Sequence, residues 1–320
     1  MRTEFIRRLH KLAEANPDLF LITGDLGFGV LGDFAKKFPR QYLNVGVAEQ
    51  NMMGVAAGLA LEGRRVFVYS IGNFPTLRCL EQIRNDVLYH RLNVKIVAIG
   101  GGFSYGQLGF SHHATEDLSI LRSFPGMTVV SPGDLWEAAE ATEAVFSRPG
   151  PCYLRLDKSS AGHTERPGEV FEIGKARQLR DGRDATLIVS GGILELALKA
   201  AETLDVEGIH CRVLSAHTVK PLDADALERA SRETGGFVTI EEHVIDGGLG
   251  GAVAELCLEG RFPPAFFHRI GIRSDYPDVV GSQSFLRARC GMDLKAIRNA
   301  VAALVRGKAR ERGRAERAAK

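Results

Sequence analysis

Four clusters in the 320-residue chain hold residue types that could do chemistry. In NVGVAEQNMMGVAAGLALE, residues 44–62, Glu49 and Gln50 open a predicted helix whose Gly54, Ala56, Ala57 and Gly58 permit close packing. A helix dipole favours a carboxylate at that end, so residue type alone allows either a plain helix-terminus acid or an acid–base group. His112 and His113 stand side by side; such a pair can move protons near neutral pH or bind a metal, but no further set at metal-ligand spacing surrounds them. Gly27-Phe-Gly29-Val-Leu-Gly32 is a formal dinucleotide fingerprint, with Glu49 as its downstream acid. The fingerprint requires a long helix, whereas Pro39 closes the helical stretch after about two turns, which counts against nicotinamide. Tight turning between a strand and a helix accounts for the fourth cluster, Asp246 to Gly251, without a ligand.

These residues fall between elements that repeat in a regular order. Short Val-, Ile- and Leu-rich runs at 19–23, 65–69, 94–100, 127–131 and 152–156 alternate with helical patterns, as in a parallel sheet covered by helices. SSAGHTERPGE then marks a boundary, and the pattern restarts at 185–190, 210–215, 237–242 and 266–272. The expected fold is α/β: two three-layer domains with mostly parallel sheets, at 1–160 and 179–306, joined by a linker over 161–178. Phe5, Ile6, Leu9 and Leu12 give the N-terminus the spacing of an amphipathic helix, unlike a signal peptide or membrane span. Residues 307–320 read as a basic, disordered tail, a frayed and solvated helix rather than a nucleic-acid arm.

Forty-one basic against 39 acidic residues leave a formal charge of +2, which argues against a nucleic-acid or membrane-surface role. Five cysteines without a C-x-x-C pair suit a reduced cytoplasmic setting and no cysteine-based metal site.

The segment around Glu49 resembles the transketolase family, including 1-deoxyxylulose-5-phosphate synthase, the split transketolases and, more distantly, the beta subunits of 2-oxo acid dehydrogenases. Further matches follow in order: NFPTLRCLEQIRN from Asn73, GQLGFSHH from Gly106, EDLSILRSFPGMTVVSP from Glu116, and EEHVIDGGLGGAVAE in the second half. Together they span about Asp18 to Arg306.

The resemblance implies a thiamine diphosphate enzyme in which Glu49, held protonated, hydrogen-bonds the pyrimidine and helps generate the carbanion at the thiazolium. It also implies that Phe74 stacks on the pyrimidine, where the residue type alone would allow plain core packing, and that Asp25, Leu26 and Arg78 are further cofactor contacts. His112 would stabilise an oxyanion or shuttle a proton, and His113, Gln107, Leu108 and Lys158 would line the substrate. No G-D-G motif, with which the family's other half holds Mg²⁺ and the diphosphate, occurs here. A separate N-terminal-type partner subunit is therefore expected, in an α₂β₂ assembly with beta–beta contacts and with the metal mainly on the partner.

Leu108 stands where sugar-phosphate transketolases carry an acid, Gly100 and Gly29 where they carry a histidine and a serine, and Lys158 where they carry an arginine. Lost hydrogen-bonding groups weaken recognition of an ordinary pentose phosphate. The expected reaction is transfer of a two-carbon ketol or acyl unit from a ketose or 2-oxo acid to an aldehyde or keto acceptor. The alternatives are a 2-oxo acid decarboxylating component and a non-catalytic assembly subunit, although a scaffold has no need of Glu49, Phe74 and His112 together.

Overall fold

The structure is a computed structural model that describes residues 1–318 except Phe28 and Ser274, and the side chains only through Gly307. Among the described residues twelve strands form two sheets: β1 Leu19–Thr23, β2 Tyr42–Asn44, β3 Arg65–Ile71, β4 Val94–Ile99, β5 Thr128–Val130, β6 Cys152–Leu156, β7 Arg177–Arg180, β8 Ala185–Ser190, β9 Cys211–Ser215, β10 Thr218–Lys220, β11 Phe237–Val244 and β12 Phe267–Ile272. The first sheet runs β10-β5-β6-β4-β3-β1-β2 and the second β12-β11-β8-β9-β7. Among these strands β10 and β7 pair antiparallel, with β5 and β9 respectively, and the other pairings are parallel.

Burial on both faces explains why the central strands are continuous apolar runs. Phe67, Tyr69, Val97 and Ile99 point into one core, while Val66, Val68, Ile96 and Ala98 point into the core on the opposite face. In the second sheet Leu187 and Val189 face one cluster and Ile188 another. Each fully buried Val, Leu, Ile or Phe contributes roughly 1.5–3 kcal/mol. The helix Arg2–Ala15 buries Phe5, Ile6, Leu9 and Ala13, one turn apart, and Leu12 packs at the margin.

All nine runs expected as strands are strands, but three short ones are new. β2 is a half-exposed triplet without an apolar signature. β7 begins at Arg177, inside the stretch expected to be linker, and β10 returns from the second half to pair with β5 of the first sheet. The helix Leu294–Ala318 carries the backbone through residues 307–318. Ala, Arg, Glu and Lys are strong helix formers and extend a helix begun by packed residues such as Val301 and Leu304.

Arg177 ties the two halves. Its Nη1 donates to Asp134 Oδ2 at 2.9 Å and to Glu137 Oε1 at 2.7 Å, its Nε donates to Glu169 Oε1 at 2.8 Å, and the guanidinium lies 4.4 Å from the Trp136 ring. Nearby, His217 is fully buried, stacks on Phe171 at 4.2 Å, and leaves Nε2 without a partner. Burial, reinforced by the Arg177 charge, lowers its pKa from 6.5 to about 3. Between those pH values the unfolded chain binds the extra proton, so His217 withdraws stability as pH falls, by up to about 1.4 kcal/mol per pH unit. His217→Phe is expected to flatten the decline of the urea midpoint between pH 6.5 and 4; an unchanged slope would refute the linkage.

Candidate active site

In the first sheet β4, β3, β1 and β2 are parallel neighbours, so the loops after them emerge at one edge, where α/β proteins place their sites. These loops carry most of the residues singled out above. Glu49 is the first residue of the helix Glu49–Leu61, and its side chain is 2% exposed. Arg78 Nη1 donates to Glu49 Oε2 at 2.8 Å. The Arg78 guanidinium lies 4.6 Å from the centre of the Phe74 ring, and Phe74 meets the His112 ring edge-to-face at 5.3 Å. Glu49, Arg78, Phe74 and His112 thus form one continuous array.

Backbone detail sets that array. Asp25 adopts a positive φ of 58°, its N–H donates to Asn44 Oδ1 at 2.8 Å, and Asn44 Nδ2 donates back to Asp25 Oδ1 at 3.0 Å. The N–H of Gly46 donates to the same Asn44 oxygen at 3.0 Å. Asn44, unremarked in the sequence, therefore joins the turn after β1 to the approach to Glu49. Leu26 enters through its carbonyl, which accepts from Thr23 Oγ1 at 3.1 Å. A Cβ on Gly24 would lie 3.3 Å from the Gly46 carbonyl oxygen and 3.6 Å from Glu49 Cγ, so glycine keeps this corner open. Cys79, next to Arg78, is buried, and burial together with nearby Glu49 pushes its thiol up to about 12, unsuited to a nucleophile.

The segment Gly100–His113 supplies the other wall. His112 ends a short 3₁₀ turn, and its Nδ1 lies 3.0 Å from Ser111 Oγ. His113, expected to touch substrate, is 1% exposed and packs edge-on against Phe103 at 5.1 Å; burial lowers its pKa. Its carbonyl accepts from Asn73 Nδ2. Gln107 and Leu108 lie exposed on the turn Gly106–Leu108, with Leu108 56% exposed. Lys158 stands outside the array, with Nζ 3.9 Å from the Tyr105 ring, in a cleft of about 250 Å³ that Arg2, Ile99 and Asp157 also line. Tyr105 fills the space that a side chain at Gly100 would need, since a Cβ there would fall 2.2 Å from its ring.

What holds this wall is buried. Arg155, fully enclosed on β6, donates through Nε to Asp117 Oδ2 at 2.9 Å and through Nη2 to the carbonyls of Ala114 at 3.0 Å and Glu242 at 2.9 Å. Tyr153 Oη donates to the same Asp117 oxygen at 2.5 Å. Glu242 accepts from the Phe103 N–H at 2.5 Å and from Arg287 Nε at 2.6 Å. Side chains at Gly101 and Gly102 would collide with Arg155 and Glu242, respectively. Among the described residues no three His, Cys, Asp or Glu side chains cluster as a metal site.

The description "Transketolase, pyrimidine binding domain" matches residues 1–163, and "Transketolase, C-terminal domain" matches residues 174–296. The chain belongs to the transketolase family. It is 38% identical over 298 residues to an apulose-4-phosphate transketolase subunit of Phocaeicola vulgatus, covering 92% of this chain and 94% of that one. The 6-deoxy-6-sulfo-D-fructose transketolase subunit SqwH of Clostridium sp. strain MSTE9 is 37% identical over 298 residues, 93% and 92% of the two chains. A solved split-gene transketolase, described as an inactive β₄ tetramer, superposes with a TM-score of 0.85 at 35% identity over 95% of this chain and 97% of that one.

Within this transketolase fold the two glycine clusters find local explanations. The fingerprint-like glycines precede only a six-residue helix, Gly32–Lys37. At the other, the carboxylate of buried Glu241 accepts from the N–H groups of Leu249 at 2.6 Å and Gly250 at 2.8 Å, filling the anion position of the turn from within the chain. Arg155→Met is expected to cost about 3–5 kcal/mol, because it leaves Asp117 buried without its cation. A loss below about 1 kcal/mol in urea unfolding would show that the network is dispensable.

Proposed function

We propose that the chain is the C-terminal, pyrimidine-activating subunit of a split, thiamine diphosphate-dependent transketolase-type enzyme. It moves a two-carbon ketol or acyl unit from a ketose or 2-oxo acid donor to an aldehyde or keto acceptor. The observation that carries this reading is the array of buried Glu49, half-buried Phe74 and His112 on loops that share one sheet edge. A buried carboxyl beside an accessible aromatic face suits an aminopyrimidine, which presents both a flat face and a hydrogen-bonding edge. When bound, the cofactor supplies a carbon nucleophile at its thiazolium.

Glu49 holds a proton against the pyrimidine ring nitrogen, Phe74 fixes the ring plane, and the turn at Asp25 and Leu26 borders them. His112, edge-to-face with Phe74, stabilises negative charge on the substrate oxygen or returns a proton to it. Diphosphate and Mg²⁺ fall to an N-terminal-type partner in an α₂β₂ assembly. The description of the solved relative as an inactive β₄ tetramer supports both contact between beta subunits and dependence on a second kind of subunit.

Exposed Leu108 offers no hydrogen bond to a sugar hydroxyl, and Tyr105 occupies the space beside Gly100. This favours a substrate other than the ordinary pentose phosphates, in keeping with relatives named for apulose 4-phosphate and a sulfo sugar. Those names also favour transketolase chemistry over a decarboxylating component. A reducing cytoplasm suits five unpaired cysteines, four of them buried.

Calorimetry with thiamine diphosphate and Mg²⁺ should give tight binding only when the chain is mixed with its diphosphate-binding partner; tight binding by the chain alone would overturn the division of labour. In the reconstituted enzyme Glu49→Ala should lower turnover by about 10²- to 10⁴-fold with the fold intact by circular dichroism. Near-normal turnover would remove Glu49 from the chemistry. Comparable rates on xylulose 5-phosphate and ribose 5-phosphate would refute the substrate assignment.

A further inference from the structure

Arg78 engages both side chains that the reading above assigns to the pyrimidine. It donates to Glu49 Oε2 at 2.8 Å while its guanidinium covers Phe74 at 4.6 Å. A guanidinium is planar, carries its donors on its edge and stacks on aromatic faces. An aminopyrimidine shares that plane and that donor edge. The two cannot occupy the same carboxylate oxygen and the same ring face together. Glu49 is fixed in the interior, whereas the Arg78 side chain is 48% exposed and has solvent to swing into.

We propose that Arg78 is a placeholder for the pyrimidine ring. It pairs with the buried Glu49 carboxyl and keeps Phe74 covered until the ring enters, then turns outward, so it is a positioning residue for cofactor uptake rather than a ligand of the bound cofactor. Its departure also reverses the hydrogen bond at Glu49. The carboxyl accepts from Arg78, whereas the proposed chemistry needs it to donate to the ring nitrogen. The inference rests on Glu49 and Phe74 being the pyrimidine contacts, and the test separates the two ideas.

The probe is 4-amino-5-hydroxymethyl-2-methylpyrimidine, which needs neither a diphosphate site nor a partner, titrated by ligand-observed NMR into the full chain and its Arg78→Ala, Arg78→Lys, Glu49→Ala and Phe74→Ala variants. Circular dichroism checks that each variant is folded. Arg78→Ala should bind about tenfold more tightly than the natural chain, the scale of a half-exposed ion pair and a cation–π contact no longer displaced. Arg78→Lys should fall between, since lysine keeps the charge without the plane, and Glu49→Ala and Phe74→Ala should bind more weakly. Weaker or unchanged binding by Arg78→Ala, with the other two weakened, overturns the placeholder and makes Arg78 a cofactor ligand or a bystander. Unchanged binding by Glu49→Ala and Phe74→Ala overturns the pyrimidine reading itself, and binding by none of the proteins overturns the premise that this chain alone offers the ring a site.

Discussion

One buried guanidinium holds the working parts together. Arg155 leaves β6 in the middle of the first domain, yet its hydrogen bonds reach the helix that begins at Asp117, the carbonyl of Ala114 two residues beyond His112, and β11 of the second domain. Taking such a charge out of water is costly, and the cost is offset only by paired carboxylates and well-aimed acceptors. Arg155 has both, with Asp117 at 2.9 Å and Asp157 at 3.7 Å. The position of His112 is therefore coupled to the packing of one domain on the other. Glu242 repeats the device from the opposite side, gathering Phe103, Gln283 and Arg287.

Much of the scaffold was legible because burial on both faces writes itself as unbroken apolar runs. The elements that escaped carry no such signature. β2 is short and half-exposed, β7 is the polar stretch RQLR, and β10 is held by a partner strand distant in sequence.

At the site, Glu49, Phe74, Arg78 and His112 could be picked out one by one, and the fold assembled them. Their mutual arrangement was not legible: no spacing says that Arg78 lies between Glu49 and Phe74. His113, expected to touch substrate, is buried against Phe103, while its neighbour His112 meets Phe74. Asn44 and Arg155 were invisible for a related reason. Asn44 and Arg155 act by contacts with chain remote in sequence, and Arg155 looks, in CYLRL, like a lone polar interruption of a strand.

The small strand β10 has a consequence for how the protein is made and divided. By pairing with Val129 and Val130 of β5, it caps the edge of the first sheet with residues that are synthesised after the linker and three strands of the second sheet. Until Thr218–Lys220 arrive, β5 presents an unpaired row of backbone donors and acceptors, the kind of edge on which chains aggregate. A cut at the linker would separate two family domains by name while leaving the first with an open, adhesive border. The two halves of the chain thus share one sheet.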